Sequence, residues 1–310
     1  MNVALQDKIE LIAPSRIEEL IDSFINSQDI KPNSRLLYRR TLKQYFTWII
    51  TKGYKLSEIT RAQIIEYKEY LLNSERSSLT TASYLTSVKL FYEWLEANKL
   101  YPNVAKGIGS PKRKQQFRKQ PLLPLQATAL LDYYKSKALR EFAIVNLLLR
   151  TGLRTIELIR ANIEDIIFKG SQRVLLIQGK GRDERDNFVI LTDKTYNPLK
   201  EYLETRTYTG SSPLFISDSN NNKGQRLTTR TISFIAKEGL KAIGLNDKQF
   251  TAHSLRHSTA VNILRAGGSL ETAQLTLRHS NPATTQIYTA TLNEERRLQN
   301  NGETLIDNLF

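Results

Sequence analysis

DIIFKGSQRVLLIQGKGRDERDNFVIL, residues 165–191, is the stretch whose reading decides the fold. Apolar runs DIIF, RVLLIQ and NFVIL are rich in branched and aromatic residues and are separated by Lys169-Gly170 and by GKGR. That punctuation marks two hairpins, so the segment reads as a three-stranded antiparallel sheet with GKGR near the tip of the second turn. Nothing else in the chain repeats this pattern. The sheet therefore sits inside a mainly helical protein and marks a mixed α+β domain.

Working outward, apolar residues return to helical spacing on both sides. Helices are expected at about 125–136 and 138–150, and again where TGLRTIEL turns into a further helix. After the sheet, helices are expected at about 194–206 and 228–242, with PLFIS between them as a short buried strand. HSLRHSTAVNILRAG reads as a helix stopped by Gly267-Gly268. Asn281-Pro282 reads as a cap followed by proline in the first turn, which places Tyr288 late on a short helix.

The first hundred residues read as four amphipathic helices. Ser15-x-x-Glu18 and Thr60-x-x-Gln63 have the form of capping boxes, and Asn33 is a candidate cap for the second helix. Between the two helical regions lies YPNVAKGIGSPKRKQQFRKQPLLP, broken by proline and glycine and carrying a run of cations. The expected organisation is a helical domain at 12–100, a basic linker at 101–120, a mixed domain at 121–291 and a tail at 292–310. The tail's Leu305, Ile306, Leu309 and Phe310 either pack on their own domain or dock on a neighbouring subunit.

Composition narrows the partner. With 45 Lys and Arg against 31 Asp and Glu, the net charge is +14, which favours a polyanion and above all nucleic acid. Candidate DNA contacts are Arg35, Arg39, Arg40 and Lys43 in the helical region and Lys112, Arg113, Lys114, Arg118 and Lys119 in the linker. The alternative is that these side chains are simply solvated. No apolar run reaches the ~18–20 residues that span a bilayer, so no membrane role is expected. There is no cysteine, which fits a reducing cytoplasm and removes thiol chemistry.

The chain has only 3 histidines, all within residues 253–279. His253 and Arg256 are three apart and share a helix face. His253 and His257 have the spacing of a helical zinc pair, but position 254 is Ser and no third ligand is suggested, so no metal is expected. Arg, His and Tyr together suit a phosphodiester. A guanidinium pairs bidentately with its non-bridging oxygens, and a tyrosyl hydroxyl can attack phosphorus to form a covalent ester.

The ordered set TGLRTIEL, QGKGRDER, HSLRH, LRHS and TTQIYT resembles the tyrosine recombinase (phage integrase) family. The motifs lie within 151–289, and the layout is similar over nearly the whole chain. The resemblance implies an N-terminal helical core-binding (SAM-like) domain and a C-terminal catalytic domain closing as a clamp on double-stranded DNA. It implies Arg154 and Arg256 as phosphate-clamping arginines and Lys180 as the acid for the leaving 5′ oxygen. His253 is implied in proton transfer, His279 as a hydrogen-bond donor to the phosphate and Tyr288 as the nucleophile. Glu157 matches a supporting acid, while His257 carries no implied role. It further implies a 3′-phosphotyrosyl intermediate, a Holliday junction and no cofactor. The assembly implied is a homotetramer on DNA, monomeric or dimeric when free, cytoplasmic and associated with the nucleoid when bound. The rival readings are a DNA-binding module without chemistry and a type IB topoisomerase. Two positions depart from the family pattern: Arg278 stands where glycine is common and Ala290 where histidine is common. A side chain at 278 either crowds a tight turn or adds a phosphate contact.

Overall fold

A computed structural model describes residues 14–111, 119–179, 184–279, 281–300, 302–307 and 309. The chain divides into two compact units, 1–116 and 117–310.

The first unit is built from helices α1 (Pro14–Ser27), α2 (Pro32–Thr51), α3 (Arg61–Asn73) and α4 (Ser78–Ala97), with a 3-10 turn at Leu56–Glu58. Its core is aromatic: Phe24, Tyr45, Phe46, Tyr67, Phe91 and Tyr92 are all buried. Edge-to-face pairs such as Phe24–Phe91 and Phe46–Phe91 lock α1 and α2 onto α4, each adding about 1 kcal/mol beyond area burial. Two buried polar pairs fix the register of α2 against α4. Thr41 Oγ1 donates to Ser87 Oγ at 2.7 Å, and the Tyr45 and Tyr92 hydroxyls meet at 2.8 Å.

The Thr60 capping box is present: Ala62 N–H donates to Thr60 Oγ1, and Thr60 N–H donates to Gln63 Oε1 at 2.9 Å. The other two expected caps differ. Ser15 is already inside α1, and α2 starts at Pro32 with Lys31 as its cap, so Asn33 lies in the first turn. Proline wins there because its fixed φ suits the first helical position and its missing N–H has no partner to lose.

The second unit contains α5 (Pro124–Lys135), α6 (Leu139–Thr151), α7 (Thr155–Arg160) and then the expected sheet, β1 (Ile166–Lys169), β2 (Gln172–Ile177) and β3 (Asn187–Ile190). The sheet is antiparallel in the order β1-β2-β3, with Ile166 opposite Leu175 and Leu175 opposite Val189. Helices α8 (Asp193–Glu204), α9 (Thr229–Ala242), α10 (Ala252–Arg265), α11 (Leu270–Leu277), α12 (Ala283–Gln299) and α13 (Gly302–Asp307) complete it. Helix α10 is the hub. It packs against α6, α9, α11 and α12 and buries residues on nearly all sides, Arg256 and His257 included.

Three expectations are corrected. PLFIS forms no strand: Pro213 and Ile216 make only isolated bridges, and Leu214 and Phe215 are buried by side-chain packing. Helix α11 is an element the sequence pattern does not announce, although Ser269 Oγ accepts from Thr272 N–H at its start. Finally, α12 has 17 residues, so Tyr288 lies in its second turn, and Pro282 itself is the cap. Among the described residues no helix is long and apolar enough to cross a membrane.

Candidate active site

The site grows from two chain reversals. The first is Gly152, which ends α6 with φ 61. A Cβ there would lie 2.5 Å from the Leu277 side chain, so glycine is required both by the backbone and by close approach. Two residues on, Arg154 caps α7, and Glu157 in the first turn reaches back to it. Arg154 N–H donates to Glu157 Oε2 at 2.8 Å, and its Nη1 donates to Oε1 at 2.6 Å. The second reversal is Arg278, at the end of α11, with φ 57 and ψ 46.

Arg256 connects the two. It is 1% exposed, and its guanidinium donates to the carbonyl oxygens of Gly152 and, at 2.5 Å, Leu277. Burial and then the charges of Arg154 and Arg278 bring its pKa down to about 9, which still leaves it cationic at neutral pH. A cleft of roughly 700 Å³ opens beside it, lined by Arg154, Thr155, Thr229, Ser233, His253 and Arg256, among others. His253 keeps an exposed ring at this cleft. Loss of solvation by the protein around it, then Arg256, Arg154 and Lys119, hold its pKa below the usual imidazole value.

His279 and Tyr288 both feel the charge of the same arginine but do not line the cleft. His279 is half-buried, with Nδ1 3.0 Å from Thr285 Oγ1. Burial and the charges of Arg256, Arg154 and Arg278 push its pKa down to about 4. Tyr288 is 3% exposed and sits in a satellite core with Val261, Leu264, Leu277 and Leu292. Its ring packs on His257 at 4.7 Å and on His279 at 6.0 Å. Burial raises its pKa, and the pull of Arg256 and Arg154 toward the phenolate only partly offsets that.

Lys180 lies outside the described residues, and the described residues on either side of 180–183 make the following contacts. Arg160 donates to the Gly179 carbonyl at 3.1 Å, and Arg185 pairs with buried Asp165 at 2.6 Å. Lys112, Arg113, Lys114 and Arg118 also lie outside the described residues. Lys119 is bound into the second unit: its ammonium donates to the Lys248 carbonyl, and its own carbonyl accepts from His257 Nδ1 at 2.6 Å. In the first unit Arg35 donates to the Ile30 carbonyl and Arg40 is exposed. Arg39 pairs with Asp22 and Glu18, and Lys43 pairs with Glu18 at 2.6 Å, so these two cations already serve the α1–α2 contact.

Two side chains that shape the site carry no chemical role in the sequence reading, where His257 is only a packing histidine and Arg226 is not singled out. His257 packs on the tyrosine and holds the Lys119 carbonyl. Arg226 donates to the carbonyls of Ile159 and Ala161, satisfying the end of α7 just beyond the Arg154–Glu157 pair. No local pattern announces either role, because each partner is remote in sequence. Among the described residues no cluster of His, Asp or Glu could hold a metal ion.

A cleft walled by guanidinium and imidazole suits an anionic group. Residues 121–295 match the phage integrase family, and residues 17–101 match the phage integrase N-terminal SAM-like domain. The chain belongs to the phage integrase family. It is 27% identical over 303 residues to tyrosine recombinase XerD of Vibrio cholerae serotype O1, covering 94% of this chain and 97% of that one. It is 28% identical over 292 residues to tyrosine recombinase XerC of Leptospira interrogans, covering 90% and 91%. Among solved structures, XerH site-specific recombinase bound to palindromic difH substrate shares the fold, with a TM-score of 0.73, 20% identity and coverage of 93% and 84%. A lambda integrase dimer bound to a core site gives 0.67 at 17% identity, covering 86% and 96%.

Proposed function

We propose that the protein is a site-specific tyrosine recombinase that cleaves and rejoins double-stranded DNA, with the machinery residues placed as follows. Arg154 and Arg256 take the two non-bridging oxygens of the scissile phosphate, where negative charge grows as phosphorus becomes five-coordinate. Tyr288 Oη attacks phosphorus, its proton passing toward His253, and the bond to the 5′ oxygen breaks. Lys180 supplies the proton to that leaving oxygen. His279 donates a hydrogen bond to the phosphate, and Glu157 orients Arg154. The product is a 3′-phosphotyrosyl link and a free 5′-hydroxyl. Because the link conserves the bond energy, a second 5′-hydroxyl can reverse the step on a partner duplex, giving a Holliday junction, with four protomers acting on two sites in the cytoplasm.

The observation that carries the reading is the convergence of Arg154, His253 and Arg256 on one cleft, with Tyr288 near enough to Arg256 and Arg154 for their charges to act on its hydroxyl. Tyr288 must leave its apolar packing to reach a phosphate there. The test uses a pool of nicked duplexes of randomised sequence from which the cleaved end diffuses away. Wild-type protein is expected to form a denaturant-stable adduct and Tyr288→Phe none; an adduct on the Phe variant overturns the assignment.

A further inference from the structure

Arg278 is costly to place. Its backbone is left-handed, where a Cβ is disfavoured by about 1 kcal/mol or more and glycine is at ease. Its side chain is 9% exposed, and a buried guanidinium must be paired to repay its lost hydration. The pairing is specific. Nη2 donates to Glu157 Oε2 at 3.0 Å, and Nη1 donates to the Thr276 carbonyl at 2.6 Å and, more weakly, to that of Thr151 at 3.5 Å. Arg256 binds the next carbonyl in each of those two turns, Gly152 and Leu277. Two guanidiniums thus staple the same pair of chain reversals, but only Arg278 also reaches the carboxylate that holds Arg154.

Glu157 is 1% exposed and has two oxygens, one facing Arg154 Nη1 and the other shared by Arg278 and the Arg154 N–H. With Arg278 in place, two cations share one anion and a net positive charge remains. Without it, Glu157 and Arg154 form a closed one-to-one pair, and the charge meant for a phosphate is neutralised within the protein. A carboxylate left with one partner in a low-dielectric site attracts that partner more strongly.

We propose that Arg278 is a positioning residue for strand cleavage: by engaging one oxygen of Glu157 it leaves the Arg154 guanidinium and its charge available to the scissile phosphodiester. This rests on the assignment of Arg154 to the phosphate clamp. Neither alternative raised for position 278 describes this contact, in which the side chain turns inward to the acid.

The experiment uses full-length protein and the randomised nicked pool, following adduct formation under single-turnover conditions at saturating DNA. Arg278→Gly relieves the backbone and removes the cation, while Arg278→Met keeps the stem and removes only the cation. Each is expected to slow adduct formation roughly tenfold or more with little change in half-saturating DNA, since a group acting through another costs less than a direct donor. Arg278→Lys, which keeps the charge, is expected to stay close to wild type. Pairing Arg278→Gly with Glu157→Gln removes the carboxylate charge as well and is expected to recover part of the lost rate, a coupling that a purely structural role would not produce. A wild-type rate in Arg278→Gly, additive losses in the double variant, or failure of both neutral variants to fold overturns the proposal. If wild-type protein forms no adduct, or Tyr288→Phe still forms one, the recombinase reading itself fails. If those controls behave and Arg278→Gly is unimpaired, only the role of Arg278 falls.

Discussion

At the scale of single residues, the charge around His279 fixes how the protein responds to acid. Its pKa of about 4 lies below the 6.5 of an unperturbed imidazole, for reasons of burial and of three nearby guanidiniums. Between those two values the unfolded chain takes up a proton at this position that the folded chain refuses, so stability falls as pH drops from about 6.5 toward 4. His253 shifts in the same direction and adds to the slope. Glu157 is held below its usual range because Arg278 and Arg154 outweigh its burial, so its contribution is lost only at still lower pH. The expected result is a denaturation midpoint that declines from pH 7 to pH 5 in wild type and declines less in His279→Asn. An equal slope in both would remove His279 from the account.

At the scale of elements, α8 shows how a helix tolerates an interior proline. Pro198 has no N–H to give the Lys194 carbonyl. Asn146, buried on α6, supplies the missing donor from its Nδ2 at 2.9 Å, while its Oδ1 accepts from Arg150 Nε at 2.7 Å. Asn146→Leu is expected to destabilise the second unit by about 1–3 kcal/mol, because it strands a carbonyl and a guanidinium N–H together. The same change paired with Pro198→Ala, which restores the helical N–H, is expected to recover part of the loss in chemical denaturation. The sequence could show that 194–206 is helical, because the apolar spacing survives the proline, but Asn146 has no local signature. The same division runs through the site. His253 and Arg256 are legible from local spacing at the start of α10, whereas Arg154 is legible only through the ordered motifs of the family resemblance. The partners of Arg278, His257 and Arg226 are not legible, although Arg278 stands out as a departure, because only the folded chain brings those carboxylate, carbonyl and ring groups near. PLFIS misled for the complementary reason: an apolar run shows that a segment is buried, not that its backbone is paired.

At the scale of the whole molecule, the dominant quantity is the net charge of +14. Neutralising phosphates with Lys and Arg releases counterions, so binding to duplex DNA should weaken steeply with salt. For about six phosphate contacts the expected loss is roughly a thousandfold between about 50 and 200 mM salt, measured with a randomised duplex by fluorescence anisotropy. A flat response would remove the basic surface from the binding account.

The packing of Tyr288 has a further consequence for how the resting protein survives its surroundings. An exposed phenolate flanked by cations would be open to oxidants, acylating agents and adventitious electrophiles. A protonated phenol enclosed by leucine and valine side chains is not, and the chain has no cysteine to react in its place. On the proposed role of Tyr288 as nucleophile, its protection rests on the packing of α12 against Val261, Leu264 and Leu277 and not on the redox state of the compartment.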